Sequence, residues 1–167
     1  MSSGIFEQAA PIGQAAGALL MERGQTVAVI DGATGGLISA SLISLPGATR
    51  FFKGSGVIYT LESRNILLGL SPAELRGMRS ATESYALVQA RAVRNQFGAD
   101  WGVAESGSAG PGSHPMGVPN GISAIAVVAP DGREWSRIVE TNSDERMENM
   151  GAFARAALEL LVEALKA

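Results

Sequence analysis

The chain has 167 residues, 46% of them hydrophobic and 17% charged, a globular composition long enough to bury about two-thirds of its unfolded surface. A net charge of −3 without any cluster of Lys or Arg argues against nucleic acid as a partner. The absence of cysteine excludes disulfides, thiolate zinc sites and a cysteine nucleophile.

Residues 12–23 carry Ile12, Ala15, Ala16, Leu19 and Leu20 at helical spacing, with Pro11 suited to the first turn and Gly24 to the C-terminal cap. Thr26–Ile30 is a short β-branched run, predicting a buried strand. Gly35–Leu45 reads as a helix stopped by Pro46-Gly47, Ser55–Thr60 as a strand and Glu62–Gly69 as a short helix. Ser71, Pro72 and Glu74 form a helix-start signature. Thr82 opens a long helix ending at Phe97-Gly98, and Asp100–Glu105 is a further strand. A loop rich in Gly, Ser and Pro runs from Ser106 to Asn120. Gly121–Ala129 and Glu134–Glu140 flank Pro130-Asp131-Gly132, a hairpin signal, and a helix from about Asp144 to Leu165 is capped by Asn142 or Ser143. Helices alternating with strands, then a hairpin, predict an α/β three-layer sandwich with a mixed sheet, in one domain over residues 1–167. No apolar run approaches the ~20 residues of a membrane span, and MSSGIFEQ lacks the regions of a signal peptide; both predict a cytoplasmic protein without a membrane partner.

Two loops follow strands, Asp31–Gly36 and Glu105–Pro111, and in α/β sheets ligands bind beyond the carboxyl ends of strands. The amides of Thr34, Gly35 and Gly36 are expected to face that crevice and attract a phosphate or an oxyanion. A purely structural turn accounts for this fragment equally well. Several motifs then fall in a consistent order: Asp31-Gly32-Ala33-Thr34-Gly35-Gly36, Leu45-Pro46-Gly47, Tyr59-Thr60-Leu61-Glu62-Ser63-Arg64 running on to Leu67-Leu68-Gly69, Ser106-Gly107-Ser108-Ala109-Gly110-Pro111, and Pro119-Asn120-Gly121. Together, over roughly residues 12–165, they resemble the C-terminal domain of the CinA (competence/damage-inducible) family, whose active members deamidate nicotinamide mononucleotide. The resemblance implies that fold and a small-molecule substrate. It also aligns Gly32 with the family's serine nucleophile and Arg64 with the lysine that helps activate it. Glycine has no side chain to attack with, and arginine stays protonated, so the family's serine route does not run on these residues.

Glu105 and Asp31 end neighbouring strands, and two carboxylates in one pocket can have their pKa values driven apart into an acid and a base. Tyr59 is expected to donate a hydrogen bond into the crevice, completing a catalytic set of Glu105, Asp31 and Tyr59. Thr34, Gly35, Gly36, Arg64, Ser106, Gly107 and Ser108 are expected to bind substrate, with Thr34 as a fallback nucleophile. The bland alternatives are that Glu105 pairs with Arg64 or another arginine, that His114 is a solvated loop residue, and that Glu145 and Arg146 lie on a solvated face. Trp101 and Trp135 read as packing residues. A lone histidine with scattered carboxylates gives no metal-ligand spacing, so neither metal nor cofactor is expected. The expected function is a divergent amidohydrolase-like enzyme acting on a small amide or nicotinamide-related heterocycle by carboxylate acid/base chemistry. The alternative is a catalytically inactive ligand-binding or interaction protein on the same fold. Related domains self-associate and the Ala-rich helices permit close packing, so a homo-oligomer is expected.

Overall fold

The computed structural model describes residues 3–167. Five strands form one mixed sheet in the order β2-β1-β3-β4-β5. They are β1 (Val27–Asp31), β2 (Phe52–Val57), β3 (Trp101–Ser108), β4 (Ile122–Val128) and β5 (Glu134–Glu140). β1 runs parallel to both β2 and β3, whereas β3–β4 and β4–β5 are antiparallel. Helices α1 (Ile5–Arg23), α2 (Leu37–Ile43) and α5 (Arg146–Lys166) supply the core on one face; α3 (Leu61–Leu68) and α4 (Glu83–Phe97) cover the other. This is the three-layer α/β sandwich with a mixed sheet that the alternation of elements predicts. No helix of the described residues is long and apolar enough to cross a membrane.

Alternation along β3 sorts its side chains between the two layers. Trp101 and Val103 belong to the cluster that contains Leu20, Leu42 and Leu158, while Ala104 packs with Ala86, Ala90 and Val93 of α4. The two-residue period therefore points Glu105 toward the α1/α2/α5 layer and Ser106 and Ser108 toward the α4 side.

Several boundaries differ from expectation. α1 begins at Ile5, so Pro11 lies inside the helix; the Glu7 carboxylate accepts the Gly4 N–H at 2.7 Å, closing the helix start seven residues before Ile12. β2 lies three residues earlier than expected, because its register with β1 pairs Val27 with Phe52 and Asp31 with Val57. The Ser71/Glu74 box forms, with Ser71 N–H on Glu74 Oε2 at 2.7 Å, but it starts only a run of turns, and Gly77 follows with φ 76°. β3 continues to Ser108 because Gly107 and Ser108 still pair with Ser123 and Ile122 of β4. α5 starts at Arg146 behind Glu145, since Asn142 adopts φ 54° and the Ser143 hydroxyl accepts the Glu145 N–H instead of capping the helix.

Candidate functional site

Asp31 is the last residue of β1 and lies beside Glu105, as the pairing of Ile30 with Ala104 requires. Both carboxyl groups are fully buried. Asp31 Oδ1 accepts the Thr34 hydroxyl at 2.7 Å and the Ile38 N–H at 3.0 Å; Oδ2 accepts the Ser39 hydroxyl at 2.6 Å and the Ser39 N–H at 3.3 Å. Glu105 Oε2 accepts the N–H groups of Gly32 and Thr34, each at 3.0 Å, with the Thr34 hydroxyl also 3.0 Å away, and Oε1 meets the Ser123 hydroxyl. Gly35 and Gly36, with φ 63° and 104°, supply the left-handed backbone that carries the chain from this turn into α2. The glycine-rich turn is thus clamped by two carboxyl groups, with the single proton of Thr34 Oγ1 between them.

Burial pushes the Glu105 carboxyl above the ordinary carboxylate range; the Ser123 and Thr34 donors oppose the shift and the Asp31 charge adds to it. A raised folded-state value means that the fold favours the protonated acid. The stabilisation is complete below the unfolded value of about 4.3 and is lost as pH rises through the folded value. Unfolding by urea at successive pH values is therefore expected to show stability falling above about pH 4 through this group, with the slope reduced in Glu105→Gln. An unchanged slope in that variant would assign the pH dependence elsewhere.

A cavity of about 400 Å³ opens beyond the carboxyl ends of β1 and β3, within the range of small-molecule sites. Gly32, Tyr59, Tyr85, Glu105, Ser106, Gly107, Ser108, His114 and Arg146 all contribute to its wall. Exposure grades the lining. Tyr85, Ser106 and Ser108 are buried, whereas Tyr59 is 66% exposed at the mouth. Arg146, at the start of α5, donates to the Gly110 carbonyl at 2.7 Å and to the Tyr59 hydroxyl at 2.8 Å, and among the described residues it has no carboxylate partner. Buried Asn149, one turn later, donates to the Ala109 carbonyl at 2.9 Å. The first turns of α5 thereby fix the loop that follows β3.

The structure gathers Glu105, Tyr59, Ser106, Gly107 and Ser108 around this cavity and leaves other expected residues outside it. Thr34 is fully buried, its N–H turned onto Glu105, and the Gly35 N–H bonds the Gly32 carbonyl at 3.1 Å. None of Thr34, Gly35 and Gly36 lines the cavity, because the turn folds inward around the carboxylates rather than outward. Asp31 is screened in the same way. Arg64 stands outside the wall, with its guanidinium 3.4 Å from the Tyr85 hydroxyl and over the Tyr85 ring. The arginine partner that the bland alternative gave Glu105 is not found among the described residues; its partners are Ser123, Thr34 and Gly32, because Glu105 faces the layer opposite Arg64. His114 is half-buried in the wall, its Nδ1 accepting the Met116 N–H, and burial lowers its pKa. Among the described residues no group of acidic or histidine side chains is placed to hold a metal. Tyr85, Gln89 and Ser123 were absent from the residues expected at the site. Gln89 carried a signal: it is the one polar residue in the buried stripe Tyr85, Ala86, Gln89, Ala90 and Val93 of α4.

A family model described as the CinA C-terminal domain matches residues 9–165. A CinA-like protein of Gloeobacter violaceus is 34% identical over 145 residues, covering 79% of this chain and 34% of its own length. One from Thermosynechococcus vestitus is 40% identical over 119 residues, covering 71% of this chain and 29% of its own. The chain thus spans about a third of the length of the curated relatives it matches. Among solved structures, the competence/damage inducible protein CihA from Agrobacterium tumefaciens superposes over the whole of both chains with a TM-score of 0.84 at 27% identity. A CinA superfamily protein from Klebsiella pneumoniae shares the fold with a TM-score of 0.86 at 21% identity, over 95% of this chain and 98% of that one.

Proposed function

The chain belongs to the CinA C-terminal domain family, and from that premise we propose that its cavity binds a small amide or nicotinamide-related heterocycle without cleaving it. Glu105 carries this reading. Its two oxygens meet two backbone N–H groups and two hydroxyls, all of which hold the turn after β1 in place. A group so engaged, on the far side of β3 from Ser106 and Ser108, is a poor proton carrier for a ligand in the cavity. Gly32, aligned with the family's serine by the resemblance, supplies no nucleophile. Thr34, the fallback, is fully buried between the carboxylates and absent from the wall. What remains open is a chamber whose wall includes the polar side chains of Tyr59, Ser106, Ser108, His114 and Arg146 among apolar neighbours, a lining suited to recognition.

A second reading, hydrolysis by carboxylate acid/base chemistry, is favoured by one observation. Glu105 contributes to the cavity wall and its raised pKa lets it hold a proton. Both readings are tested together by titration calorimetry and ammonia release on nicotinamide mononucleotide and a panel of cyclic and aromatic amides. Saturable heat without ammonia is the expected result. Ammonia release that falls by about 10²–10⁴-fold in Glu105→Gln would establish the acid/base enzyme instead. Absence of heat across the whole panel would sink the binding reading.

A further inference from the structure

We propose that Gln89 reads a hydrogen-bond donor on the bound molecule, the N–H of a carboxamide, a lactam or a heterocyclic ring, from the wall of the cavity. The proposal rests on the binding reading above and narrows its ligand class. Gln89 is 1% exposed and forms part of the cavity wall, one turn along α4 from Tyr85. Among the described residues its Oε1 is the buried side-chain polar atom that has no hydrogen-bond partner.

Buried polar groups are nearly always satisfied, and each exception calls for a reason. Packing alone gives none here. The neighbours of Gln89 along the stripe are Ala86, Ala90 and Val93, which pack on Ala104, Ala124 and Val128, and an aliphatic side chain would complete that cluster. An acceptor held without a partner is instead what a site needs when a ligand brings the donor. The terminal torsion of glutamine is broad and roughly two-fold, so the amide turns in place without disturbing the stem.

Ser106 completes the match. Its oxygen accepts the Ala81 N–H at 3.1 Å, and its own proton remains available to donate. The buried part of the wall therefore presents an acceptor in Gln89 Oε1 and a donor in the Ser106 hydroxyl, which can meet the N–H and C=O carried by a carboxamide or lactam edge.

The test uses 2-piperidone and N-methyl-2-piperidone, which share a ring and a carbonyl and differ in the N–H, with nicotinamide and benzamide alongside. Calorimetry on the wild-type chain is expected to show about tenfold preference for the lactam bearing the N–H. In Gln89→Met, which keeps the length and removes the amide, the preference is expected to fall to near unity. The free variant is expected to unfold about 2–4 °C higher, because an unpartnered buried acceptor has been removed. A preference that persists in Gln89→Met would overturn the role of Gln89 and leave the binding reading standing. An equal loss for both lactams would do the same, since the amide would then be contacting the shared carbonyl. A fall in the melting temperature of the free variant would show that Gln89 already has a partner, which overturns the proposal without any ligand. If none of the four molecules binds the wild type, the role of Gln89 is overturned, and the binding reading falls with it only if nicotinamide mononucleotide gives no heat either.

Discussion

Asp31→Asn is expected to destabilise the fold by on the order of 3 kcal/mol, lowering the melting temperature by about 10 °C, while Glu105→Gln is expected to cost less than about 1 kcal/mol. The two carboxyl groups are neighbours, equally buried, and each meets four donors, so the contrast rests on where those donors fall. On Asp31 each oxygen accepts one backbone N–H, from Ile38 on Oδ1 and from Ser39 on Oδ2. A backbone N–H cannot reverse its polarity. Whichever way asparagine is turned, its NH₂ faces a backbone donor, and a buried N–H is left unsatisfied. On Glu105 both backbone donors converge on Oε2, and Oε1 meets only the Ser123 hydroxyl. A glutamine with its oxygen toward Gly32 and Thr34 keeps both bonds and gives an N–H to Ser123 Oγ, which rotates to accept it. That arrangement copies the protonated acid, the form the burial of Glu105 favours. Urea titration of the two variants at neutral pH decides the matter. Equal losses would mean that the ionised form of Glu105 holds the turn.

Gly32→Ser, the substitution that writes the family's serine into the turn, is expected to destabilise by on the order of 2–4 kcal/mol and to confer no ammonia release from nicotinamide mononucleotide. A Cβ on Gly32 would overlap the Glu105 carbonyl oxygen and stand 3.2 Å from its Oε2. The obstructing atom belongs to the backbone of β3, held between β1 and β4, so it has little freedom to retreat. Gly32→Ala isolates the steric part of the effect. If the cost is the Cβ, alanine and serine fall together in melting temperature. A stable Gly32→Ser variant would show that β3 yields at this point, and a hydrolytic one would show that the rest of the machinery is still in place.

Much of the architecture was readable because it depends on local chemistry. Thr82 accepting the Tyr85 N–H and Gly98 with φ 59° bound α4 as their residue types imply, and Pro130-Asp131-Gly132 turns β4 into β5. Features set by long-range pairing were hidden. The end of β3 depends on Ser123 and Ile122 across the sheet, and nothing in the run Ser106-Gly107-Ser108 marks it as strand. The Ser71/Glu74 box satisfies every local rule for a helix start, yet no buried stripe follows it to pack. That Glu105 belongs to the third strand was legible, but the strand runs three residues past it, and its direction was harder to read. Counting from Trp101 and Val103 places Glu105 with the bulky apolar residues, but a strand buried on both faces shows no polar alternation to prompt the count. Its partners, a serine and a threonine rather than an arginine, follow from that direction alone.

The division of β3 into two faces bears on how such a domain changes over evolutionary time. Gly107 lacks a side chain because a Cβ there would crowd Ser123 and the Glu105 carboxyl, so that face admits little variation. Ser106 and Ser108, on the other face, and the loop that α5 pins through Arg146 and Asn149 surround open space. On the proposed binding reading, mutations there are expected to alter the contents of the chamber without touching the carboxylates behind the strand. Drift in ligand preference and retention of the fold are, on that reading, expected to be uncoupled within a single strand.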